Sequence, residues 1–144
     1  MINIQIQGQE VLRQHLNNLV AYLKTPKITL QKAVFESIGD IKKHFASSEG
    51  PEGKWQPLKE STIRAKGSSR ILWDSGRLIN SINIRNTVIK NQSAEIGTNI
   101  KYARVHQYGS PKGNIPARTF MYLSTTATDK IEKYFIDDIN GALK

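Results

Sequence analysis

The sequence predicts a single α+β domain, a small and mainly antiparallel sheet covered by several helices. Three observations lead there. Apolar residues recur at helical spacing in three long stretches, and short alternating runs occur at 2–6 and 82–97. The 144 residues hold no internal repeat, low-complexity tract or linker. A chain of that length can bury about two thirds of its unfolded surface in one core without metals or disulfides.

In chain order, Ile2, Ile4 and Ile6 fall on one side of a strand that Gly8 ends. From Gln9 to about Leu23, the residues Leu12, Leu16, Leu19, Val20 and Leu23 form one helical stripe, and Pro26 closes the segment. A second helix is expected over about 29–45 with Leu30, Val34, Ile38, Ile41 and Phe45 buried, and Gly39 in its interior would let a neighbour approach closely. Residues 46–53, ASSEGPEG, read as a mobile loop. Trp55, Pro57 and Leu58 then offer an apolar anchor stiffened by proline. One or two helical turns over 60–66 precede a Gly67–Ser69 loop, and Asp74 and Ser75 are start signals for a short helix over 76–82. Residues 82–90 alternate, with Ile82, Ile84 and Val88 facing in, and residues 93–97 return as the second arm of a hairpin. The last helix, over about 128–143, presents Ile131, Phe135, Ile139 and Ala142 or Leu143.

Cysteine is absent, which excludes thiolate zinc sites, catalytic thiols and disulfides. No signal-like N-terminus is present and no apolar run approaches the roughly 18 residues of a membrane span, so a soluble protein without membrane contact is expected. The net charge of +9 is concentrated. Residues 54–118 carry twelve Lys or Arg against three Asp or Glu and account for the whole excess. Such a bias fits an acidic partner, either nucleic acid or the negative surface of another protein, and equally a solvated basic face.

Asp74, Ser75 and His106 are residue types of hydrolase triads, but no nucleophile-elbow spacing surrounds Ser75 and helix capping explains the Asp-Ser pair. His15, His44 and His106 lack metal-ligand spacing, and the first two read as surface or boundary residues. Neither glycine-rich phosphate motif occurs. The acidic residues thin out where the chain is most distinctive, against the clustered carboxylates of a two-metal nuclease. No enzyme and no cofactor is expected. Arg64, Lys66, Arg70, Arg77, Arg85, Lys101 and Arg104, interleaved with Trp55, Trp73, Tyr102 and Tyr108, could form a basic surface with stacking rings. The alternative makes the tryptophans core or loop anchors, and no nucleic-acid module signature is present.

Residues 94–120 concentrate the special residue types. Gly97 closes a strand. A short helix then sets Tyr102 and His106 on one face and Ala103 and Gln107 on the adjacent one. Gly109 stands where a left-handed C-terminal cap is expected, Ser110–Asn114 form a loop, and Pro116 and Arg118 lead into Phe120.

The order of these motifs resembles the phage virion morphogenesis family, the Mu G-like and P2 S-like tail completion proteins, and more distantly the neck proteins of siphophages. The matching residues are Trp55, Pro57, Leu58, Thr62 and Lys66; Leu72, Ser75, Gly76, Arg77, Leu78, Ser81 and Ile82; Ile96, Gly97 and Thr98; Tyr102, Ala103, His106, Gln107 and Gly109; and Pro116, Ala117, Arg118 and Phe120. They cover about residues 30–140. Many relatives have Pro after the arginine and a Gly shortly beyond, where this chain has Thr119 and no glycine. The resemblance implies a non-catalytic assembly protein, a ring of identical subunits made in the host cytoplasm and placed at the head-tail junction or in the tail. Tail-tube, connector or neck proteins would be its partners, and contact with DNA is open. Gly97 and Gly109 would shape turns, Ala103 would permit close packing, and Tyr102, His106 and Arg118 would lock the loop through polar contacts.

Overall fold

The computed structural model describes residues 8–144, so the alternating run at 2–6 lies outside the described residues. The elements are α1 (Gln9–Lys24), α2 (Lys27–Ser47), β1 (Glu49–Gly50), β2 (Gly53–Lys54), α3 (Glu60–Lys66), α4 (Arg77–Ser81), a 3-10 turn (Ile84–Asn86), β3 (Thr87–Ile89), β4 (Ala94–Ile96), α5 (Ala103–Tyr108) and α6 (Thr125–Ala142). The α+β class holds. Among the described residues the strands form two separate antiparallel hairpins, β1-β2 and β3-β4.

Helix α2 is central because two of its faces are occupied. Val34, Ile38, Ile41 and Phe45 join Trp55, Leu78, Ile79, Ile82, Ala103 and Phe120 in the core, as the apolar spacing predicts. Phe45 meets Trp55 edge-on with ring centroids 6.0 Å apart and lies 5.2 Å from Phe120. The adjacent face carries α6, tied by Lys130 to Glu36 at 3.0 Å and by Asp138, which accepts from Thr29 and Lys32. Thr29 is fully buried, and its hydroxyl also lies 3.0 Å from that of Tyr22 on α1. Gly39 serves no close approach, because a Cβ there would meet nothing within 4 Å.

Spacing gives α1 an apolar stripe without saying what covers it, and Leu12, Leu16, Val20 and Leu23 keep 48–59 % of their surface exposed while the helix buries no residue. Several expectations fail for local reasons. The supposed mobile loop after α2 is a hairpin whose end is fixed by Trp55 N–H donating to Ser48 O at 2.8 Å. The alternation of 82–90 breaks because the Asn83 side chain accepts from Arg85 N and starts the 3-10 turn. Ile84 and Val88 consequently face out while Ile82 is fully buried. Asp74 and Ser75 cap nothing; α4 begins after Gly76, held at φ 75° with no side-chain cap bond.

His44 is likewise no boundary residue. It is buried, stacks on Tyr122 with ring centroids 3.9 Å apart, and sits with Nε2 3.5 Å from Asp40 Oδ2 and 3.3 Å from the Tyr122 carbonyl. Asp40 lies one turn earlier on the same face. Its carboxylate accepts from both the backbone N–H and the hydroxyl of Ser124, each at 2.8 Å, and Ser124 Oγ in turn caps α6 by accepting from Ala127 N. Replacing Asp40 by Ala leaves these buried donors unpaired and should cost about 2–3 kcal/mol of stability in urea unfolding. Asp40→Asn, which keeps one acceptor, should cost less.

Candidate functional site

The candidate site is the irregular segment 116–124 together with the elements that grip it. This segment belongs to no strand, yet Phe120 at its centre is 1 % exposed. Its backbone groups must therefore find partners outside any ladder.

Gln107 supplies most of them. Its side-chain oxygen accepts from Phe120 N and Met121 N at 3.0 Å each, its amide nitrogen donates to Met121 O at 3.4 Å, and its own carbonyl accepts from Thr119 Oγ1. The amide thus mimics a strand edge. Trp55 Nε1 donates to Thr119 O at 3.2 Å, and Arg118 N donates to His106 O at 2.7 Å. The Arg118 guanidinium is buried and donates through Nε and Nη2 to the Gln56 carbonyl at 3.2 and 3.0 Å. Among the described residues, no carboxylate lies within ion-pair distance of it. Burial lowers its pKa from the ordinary arginine value.

Two glycines make close approaches possible. At Gly50 in β1 a Cβ would lie 2.9 Å from Trp55 Nε1 and 3.1 Å from Thr119 O, colliding with that hydrogen bond. Gly109 does not adopt the expected left-handed helical cap. Its φ of 75° is positive as expected, but ψ of 175° is an extended conformation open essentially to glycine alone. A Cβ there would meet Ala117 N at 2.9 Å and Ile115 O at 3.0 Å, where the bridge between Ser110 and Ile115 turns the chain back. Gly97 has no positive φ; its N–H simply donates to Asn86 O, away from the segment.

The remaining residues of the sequence pattern divide by place. Trp55, Leu78, Ala103 and Phe120 are core. Trp55 is thus an anchor and not a stacking platform. Tyr102, at the N-cap position of α5, and His106 within the helix meet edge-on at 5.7 Å. Pro57, Leu58, Gly109 and Pro116 line a recess of about 640 Å³ on one side of Arg118, and Gly76, Leu78, Tyr102 and His106 line another of about 580 Å³ on its other side. Of the basic residues, Lys66 and Arg77 reach the second recess. Arg70 lies 4.1 Å over the Trp73 ring and its carbonyl accepts from Lys66 Nζ. Arg64, Arg85, Lys101 and Arg104 are exposed and line neither recess.

Sequence reasoning missed Asp40, His44, Gln56 and Thr119; Ser124, one of several caps expected for the last helix within 124–128, does cap α6, and only its bonds to Asp40 were unforeseen. A signal existed for two of them: Asp40 and His44 are four apart and interrupt the apolar stripe of α2, the position of a buried polar pair. Among the described residues there is no group of three or more potential metal ligands, and no helix is long and apolar enough to cross a membrane.

The sequence model of the phage virion morphogenesis family matches residues 8–140. The chain belongs to that family, which supports a role in phage virion morphogenesis. No curated protein and no solved structure matches it.

Two predictions separate the parts of this site. Gly109→Ala should destabilise by about 1–3 kcal/mol through its backbone angles, with a further loss from the Ala117 contact, whereas Gly97→Ala should stay within about 1 kcal/mol; chemical unfolding of both variants checks this. The second concerns His106, whose Nδ1 is buried with no hydrogen-bond partner among the described residues. Burial, then the nearby Arg118 and Lys66, push its pKa below the ordinary 6.5. The unfolded chain therefore binds that proton more readily than the folded one. The stability His106 contributes is full above 6.5 and is lost as pH falls from there through the lower native value. His106→Gln should flatten that part of the stability–pH curve, measured against wild type between about pH 7.5 and 5.5.

Proposed function

We propose that this member of the phage virion morphogenesis family completes the tail or joins head to tail, acting as a homo-oligomeric ring. In this reading it assembles in the host cytoplasm and ends at the head-tail junction or in the tail, against tail-tube, connector or neck proteins. It acts by binding and not by catalysis.

The family match over 8–140 carries the reading, and one geometric observation supports it. Helix α1 is amphipathic over sixteen residues yet buries none of them. An apolar stripe left in water is characteristic of a surface that another protein covers, and neighbouring subunits or virion proteins meet that need. The basic middle of the chain supplies a second, charged contact surface.

That same charge favours a second reading, a nucleic-acid-binding module. DNA affinity falling steeply with salt, through counterion release, would support it. The assembly reading expects something different: particles made without this protein should have tails that are incomplete or detached, with infectivity restored by adding it back. Electron microscopy and plaque assays read this out. Intact, infectious particles with normal tails in its absence would sink the proposal.

A further inference from the structure

The recess of about 580 Å³ lies between α3, the 72–78 segment and α5, and its lining joins cations to apolar walls. Leu58, Leu72, Trp73 and Leu78 supply apolar surface. Lys66, Arg77 and Arg118 supply three positive charges, and Asp74, itself exposed, is the one carboxylate in the lining. Arg118 is 5 % exposed and its guanidinium donates to a neutral carbonyl, that of Gln56. A buried guanidinium without a counter-ion is a costly arrangement that an incoming anion would offset. The His106 ring lines the same recess. Leu72 is held at φ 54°, a strained angle of the kind that clusters at binding sites.

We propose that this recess binds an Asp or Glu side chain flanked by apolar residues on a segment of a partner protein. Its volume is that of a site for a side chain or small ligand. A nucleic-acid backbone is the poorer fit. Such a backbone offers regularly spaced phosphates to exposed cations, whereas here Arg118 is buried, Lys66 is half-buried, and the walls between them are leucine and tryptophan. A carboxylate accepts from a guanidinium in a charge-assisted pair while its apolar neighbours cover those walls. The site deepens the assembly reading by naming the chemistry of the partner segment.

The test is a titration of the purified full-length protein, followed by NMR of the Trp73 indole and residues 75–77. The probes are acetylated, amidated Leu-Glu-Leu and its Leu-Gln-Leu counterpart, with inorganic phosphate and a short DNA duplex as further arms. The Glu peptide should saturate with a Kd on the order of 1 mM or tighter and bind at least ~10-fold more tightly than the Gln peptide. Arg77→Gln, a change at an exposed residue, should weaken the Glu peptide by about 5- to 10-fold, and Lys66→Met should do the same. Equal affinity for the two peptides, no shift with the Glu peptide, or tighter binding of duplex or phosphate at these same signals would overturn the proposal. The titration reports the recess alone and the particle phenotype reports the assembly role, so either can fail without the other.

Discussion

A segment anchored in the core by Arg118 and Phe120, yet without a strand partner, is the constraint on which this fold turns. Residues 118–124 cross the protein with Phe120 in the core, and none of them belongs to a ladder. Beside the buried Arg118 and Phe120, backbone groups left unpaired would each cost about 1–3 kcal/mol. Side chains do the work of a strand. Gln107 pairs with Phe120 and Met121, Trp55 with Thr119, and Asp40 with Ser124. Three elements far apart in sequence are thereby tied to one another: α2, the residues after β2, and α5.

The arrangement explains why small residues appear where they do. Gly50 and Gly109 stand where a methyl group would strike the segment or its return, so the hairpin β1-β2 and the loop after α5 can close upon it. It also explains the purpose of Arg118. Through the Gln56 carbonyl its guanidinium joins the segment to the stretch after β2, and its burial sets positive charge between two recesses. One residue thus supports the loop and colours the surface beside it.

Outside that locked centre the molecule is less self-sufficient. Helix α1 is held by few specific contacts, among them the Tyr22 hydroxyl on Thr29 and the Leu23 carbonyl accepting from Gln92. Its apolar stripe stays in water.

Periodicity alone was enough to read α2, α6 and the α+β class, because a helix with one strongly apolar face has few other ways to hide it; of the expected hairpin over 82–97 only the pairing of 87–89 with 94–96 formed. The motif order also revealed the family, and the Tyr102–His106 contact followed from helical spacing. Spacing reports which residues share a face and is silent on what covers that face. Only the tertiary structure decided that the stripe of α1 is exposed while that of α2 is buried. It alone paired Asp40 with Ser124, 84 positions away, and Trp55 with Thr119 at a separation of 64. Residues 94–120 read as one compact signature, but Trp55, Gln56 and Ser81 hold them from elsewhere in the chain, since hydrogen bonds form between neighbours in space whatever their distance in sequence.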